Sequence, residues 1–145
     1  MGDLYYCVKN VLKNNKLKEF YFELLHRIVM TKKELSDMLC LLCQEPDSIN
    51  HTFLNCDCSK HFFSEDIKWD NKESGTAFSP SPLELLFTLE QKDYPQVANK
   101  SIMKFNYTLL FAKYYLYTQK SLKKEISMKE FIRKLTSKLQ IEKLS

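Results

Sequence analysis

The chain has 145 residues, 44% of them apolar and 13% aromatic, enough to build one domain around a real core. Two glycines and four prolines exclude an all-β fold built on many tight turns and leave long helices as the expected architecture. The net charge of +4 is too mild to imply nucleic acid by itself, but residues 1–118 carry 14 basic against 15 acidic side chains while residues 119–145 carry 8 against 3.

In chain order, residues 3–13 place Leu4, Tyr5, Val8, Val11 and Leu12 at helical spacing, and Asn14-Asn15 breaks that segment. Residues 16–30 form a clearer helix, with Phe20, Leu24, Leu25, Ile28 and Val29 on one face and Leu17 and Tyr21 beside it. His26 on this helix reads as a surface histidine rather than a ligand. Thr31-Lys-Lys-Glu34 has the form of a capping box, in which hydroxyl and carboxylate satisfy open amide donors at a helix start. A short helix over residues 32–39 follows.

Residues 40–56 read CLLCQEPDSINHTFLNC and place Cys40, Cys43, His51 and Cys56 in the pattern C-x2-C-x7-H-x4-C. Residues 59–69 read as a helix carrying Phe62, Phe63, Ile67 and Trp69. Residues 71–80 are polar and contain Gly75 and Pro80, the composition of a linker. Ser81-Pro82-Leu83-Glu84 is a second capping box, with proline at the first helical position, opening a helix through Leu89.

After a loop around Pro95, a long helix runs from about residues 97–100 to about residue 120. Ile102, Phe105, Leu109, Ala112 and Leu116 form one stripe of it, flanked by Met103, Leu110, Tyr114 and Tyr117. A helix apolar around most of its circumference belongs at the centre of a core, and Lys104 and Lys113 exclude a membrane span. The tyrosines at 107, 114, 115 and 117 could stack bases, but core packing is the plainer reading. Ser127-Met-Lys-Glu130 is a third capping box. It opens an amphipathic helix with Phe131, Ile132, Leu135, Leu139 and Ile141 on one face and Lys129, Arg133, Lys134 and Lys138 on the other.

The fold class that follows is mostly α: a helical domain stapled by a small Cys3His zinc knuckle. Residues 1–70 form the N-terminal helices plus the knuckle, residues 71–80 the linker, and residues 81–145 the C-terminal helical part with its basic tail. Three thiols and one imidazole make a complete tetrahedral ligand set for one zinc ion. The spacing of Cys56 from His51 suits one helical turn and favours Cys56 over Cys58 as the last ligand; His61 is a weaker substitute. The bland alternative is a set of buried thiols, and Cys7 reads as one such apolar filler. A closed four-ligand set leaves no open position for water, so the metal is structural and its binding energy is folding energy.

The knuckle is not an electrostatic clamp, because residues 40–58 hold Glu45, Asp47 and Asp57 and no basic side chain. Phosphate contacts therefore fall to the tail, with Lys123, Lys124, Lys129, Arg133, Lys134 and Lys138 as candidates. No Gly-rich phosphate loop, nucleophile elbow or His-Glu-x-x-His pattern occurs, so no catalytic residue and no small-molecule substrate is expected. No leader and no membrane span is read from the sequence. The five cysteines suit a reducing, intracellular setting, nuclear or cytoplasmic. The sequons at Asn50 and Asn106 are read as chance. A protein partner, or self-association through the last two helices, is the competing use of the same surfaces.

Several of these stretches together resemble one family. The segment FYFELLHRIVMTKKEL is followed by the Cys/Cys/His/Cys site. Then come Phe62-Phe63, Ile67-Lys68-Trp69 and the segment FAKYYLYTQKSLKKEISMKEFIRKL. In that order they resemble the zinc-binding region downstream of the polymerase in LINE-type, non-LTR retrotransposon reverse transcriptases. The resemblance spans about residues 16–142. It implies Cys40, Cys43, His51 and Cys56 as ligands with Cys58 as a bystander, and nucleic-acid binding in support of target-primed reverse transcription. It departs from the family where only residues 36–39 separate Leu35 from Cys40, a shorter approach to the metal than usual, and where Phe63 stands for a tryptophan. Polymerase carboxylates and endonuclease motifs are absent, so the resemblance implies a detached portion of such a polyprotein without catalytic activity of its own. A transposon relic with no selected role is the remaining alternative.

Overall fold

The computed structural model describes Glu19, residues 56–122 and residues 124–142. The helices expected over residues 3–13, 16–30 and 32–39, and the stretch 40–55, lie outside the described residues apart from the helical, exposed Glu19.

Among the described residues the chain is mostly α, with no strand. Four α-helices follow in order: α1 (Asp57–Ser74), α2 (Pro82–Leu86), α3 (Asn99–Ser121) and α4 (Met128–Ile141), with a short 3₁₀ turn (Gln91–Asp93) between α2 and α3. Among the described residues no helix is long and apolar enough to cross a membrane.

Helix α3 is the central element, and its stripe of Ile102, Phe105, Leu109, Ala112 and Leu116 is buried throughout. Its C-terminal half joins α1 and α4. Phe62 of α1 sits 5.0 Å, ring to ring, from Phe131 of α4 in an edge-on arrangement and 5.7 Å from Tyr115 of α3 in a stacked one. Leu110, Phe111, Leu135 and Leu139 complete that cluster, with Trp69 packed at its edge. The N-terminal half of α3 forms a second cluster, in which Ile102, Phe105 and Leu109 meet Phe78 and Leu89.

Helix α1 runs five residues beyond its expected end at Trp69, to Ser74. Asp70 faces inward and stays on the buried side, and the helix stops only where Gly75 adopts a left-handed backbone (φ 66°). The stretch read as a linker is tied down. The Asn71 amide donates to the Phe78 carbonyl (2.8 Å), its oxygen accepts from the Phe78 amide (3.1 Å), and Phe78 is buried against Phe105. The capping box at Ser81 forms as expected, with Glu84 N–H donating to the Ser81 hydroxyl and Ser81 N–H to the Glu84 carboxylate. The helix it opens ends at Leu86, not Leu89, because the main chain of Leu89 bonds instead to Asn106 of α3.

Candidate functional site

Two sites were expected, and the described residues bear on each through particular side chains. Of the metal ligands, Cys40, Cys43 and His51 lie outside the described residues; Cys56 lies within them. Cys56 is fully buried at the N-terminal boundary of α1, in extended conformation, and its carbonyl accepts the first helical bond from Lys60 (2.8 Å). Its own side chain makes no cap hydrogen bond. Cys58 and His61 sit inside the first turns of α1 and are exposed. Of the three, Cys56 alone is buried. Among the described residues no three His, Cys, Asp or Glu side chains gather as a metal site.

The second site is α4. Its Ser127 cap accepts from Glu130 N–H (3.3 Å), but only this half of the expected capping box forms. Tyr115 of α3 takes the other half. Its hydroxyl accepts from Ser127 N–H (3.1 Å) and lies within donating distance of the Glu130 carboxylate (3.3 Å) and the Ser127 carbonyl (3.2 Å). Burial pushes the Tyr115 phenol above its ordinary pKa. Tyr107 and Tyr115 are buried and Tyr114 and Tyr117 half-buried, so the tyrosine-rich end of α3 belongs to the core.

Phe131, Leu135 and Leu139 turn inward on α4 as expected; Ile141 does not and is exposed, because it lies past the end of the apolar stripe in the last turn. The basic residues divide. Lys134 is engaged, with its ammonium 3.5 Å from Glu130 and 5.9 Å above the Tyr115 ring. Lys138 is half-buried. Lys124, Lys129 and Arg133 are exposed and make no ion pair among the described residues. Lys123 lies outside the described residues.

Four interior polar groups carry weight that the sequence reading did not give them. Asn106 binds both the amide (2.8 Å) and the carbonyl (3.0 Å) of Leu89, which buries it and closes that sequon to a glycan. Seven residues on, and so on the same face, Lys113 donates to the Leu86 carbonyl (2.7 Å). Together they pin the chain leaving α2 to the central helix. Burial alone pulls the Lys113 ammonium down to a pKa of about 7.

Asp66 and Asp70 lie one turn apart on the inner face of α1. Asp66 is fully buried and neither carboxylate oxygen has a hydrogen-bond partner. Burial first, then the neighbouring charge of Asp70, raises its pKa well above the carboxylate range. Asp70 is pushed up to about 6 by burial, against a smaller opposing pull from Lys104, whose ammonium bonds Ser74 (2.9 Å). Their i, i+4 spacing, on the same face as Phe62 and Phe63, was the available signal.

Comparison of the chain with models of protein families, with curated proteins and with solved structures finds no match.

Proposed function

We propose that this protein is a helical module held by one structural zinc ion and that it binds nucleic acid through the basic face of its last helix, without catalysis of its own. The observation that carries the reading is the division of charge on α4. The apolar side faces the core, while Lys129 and Arg133 stand exposed, outside any ion pair among the described residues. Exposed cations are what phosphate contact requires.

Cys40, Cys43, His51 and Cys56 would hold the zinc. The ion would supply folding energy to the segment ahead of α1, and Cys56 at the start of α1 would transmit that order to the helical core. The resemblance to the zinc-binding region of retrotransposon reverse transcriptases supports both halves of the reading. So does the acidic character of residues 40–58, which leaves phosphate contact to the tail.

Fluorescence anisotropy with labelled nucleic acid of mixed sequence tests the function. Binding that weakens steeply with salt, and weakens again with Lys129→Glu plus Arg133→Glu, is the expected outcome. Absence of binding at low salt refutes it. In that case light scattering that shows a dimer would favour a protein-interaction module. The exposed apolar side chains Leu83, Leu122 and Ile141 lie on separate elements, which argues for no single docking patch among the described residues.

A further inference from the structure

The exposed side of α4 has a shape and composition that narrow the kind of nucleic acid it fits; the inference rests on the reading above. Opposite the buried Phe131, Leu135 and Leu139 lies a ridge of Lys129, Arg133, Thr136, Ser137 and Gln140, all exposed. No carboxylate stands on it: Glu130 is turned to Lys134 and the Tyr115 hydroxyl, and Glu142 is buried. Lys129 and Arg133 are one turn apart, about 6 Å along the axis. Lys124, in the loop before Ser127, is a further exposed cation.

Single-strand binders combine a groove that tracks the backbone with exposed aromatic rings on which bases stack. The ridge carries no aromatic, since the sole aromatic residue of α4, Phe131, is buried in the core. A helix about 10–12 Å across, with cations, hydroxyls and an amide along its exposed side, matches the opening of a duplex groove and its flanking phosphates. We infer that the ridge of α4 binds duplex nucleic acid, with Lys129, Arg133 and Lys124 on backbone phosphates, in preference to single strands.

The test uses the full chain and two labelled probes, a 20-base-pair mixed-sequence DNA duplex and one of its strands alone. Duplex affinity is expected to exceed single-strand affinity by about tenfold. With two to three phosphates neutralised, it should fall roughly 10- to 40-fold between 50 and 200 mM salt. Lys129→Glu with Arg133→Glu should remove at least about tenfold of duplex binding. The same charge change at the exposed Lys92 and Lys100, away from α4, should leave most of it. Circular dichroism of each variant checks that the helices persist. Equal or tighter binding of the single strand overturns the inference while leaving nucleic-acid binding in place. Unchanged duplex binding by the α4 variant overturns it as well. Failure of both probes to bind refutes the function itself.

Discussion

Asp66 is a carboxyl group enclosed on all sides with no donor to meet it, so the folded state favours its protonated form. Asp70 shares that preference with a pKa of about 6. Both folded values lie above the ordinary value of 3.8, so above pH 4 the folded chain holds protons the unfolded chain has lost. Stability should therefore decline as pH rises from about 4 through 6, and further where Asp66 loses its proton. Urea midpoints between pH 4 and 7 check this. Asp70→Asn should flatten the decline, and Asp66→Ala should raise stability at pH 7 by about 1–2 kcal/mol. Lys113 runs the other way. Its folded pKa of about 7 lies below the ordinary 10.5, so stability should climb as pH rises through that interval. Lys113→Met should abolish the climb and leave the variant less stable than wild type at pH 10 by about 1 kcal/mol, the Leu86 carbonyl having lost its donor.

At the scale of elements, α3 and α4 are joined by one apolar seam and one polar joint. Leu135 is fully buried in the seam, and Leu135→Ala should cost about 2–5 kcal/mol by transfer and cavity terms, read from denaturant unfolding. The joint is the Tyr115 hydroxyl at the α4 cap. Tyr115→Phe keeps the ring against Phe62 and Phe131 but leaves Ser127 N–H unbonded, so a loss of about 1 kcal/mol is expected, with hydrogen exchange fastest in the first turn of α4. Ser127→Ala should cost about as much by removing the other bond of that cap. α4 displays its ridge only while docked, so Leu135→Ala should also weaken duplex binding.

At the scale of the whole molecule, α1, α3 and α4 share one apolar cluster, whereas the segment ahead of Cys56 is expected to draw its stability from metal. Native mass spectrometry should find one zinc per chain. Cys56→Ser should abolish it and the exposed Cys58→Ser should not. Chelation should loosen the N-terminal part while the α1–α3–α4 core keeps most of its helical signal; loss of neither metal nor structure with Cys56→Ser would remove this cysteine from the ligand set.

The periodic and capping signals were sufficient for the elements that are local by nature. The apolar stripe of α3, the inward face of α4 and the capping box at Ser81 arise from residues within a few positions of one another, and sequence displays such spacing directly. What tertiary structure alone decided depends on pairs far apart in the chain. The polar stretch after Trp69 became helix and then an anchored loop because Phe78, bonded to Asn71, packed on Phe105 of α3. Glu130 gave up its capping role because Tyr115 arrived from another helix. Lys113, read as an interruption of an apolar helix, became a buried donor to the Leu86 carbonyl, 27 residues away. Lys134 pairs with Glu130 through a spacing that sequence displays, but the Tyr115 ring beneath its ammonium was brought there by packing alone.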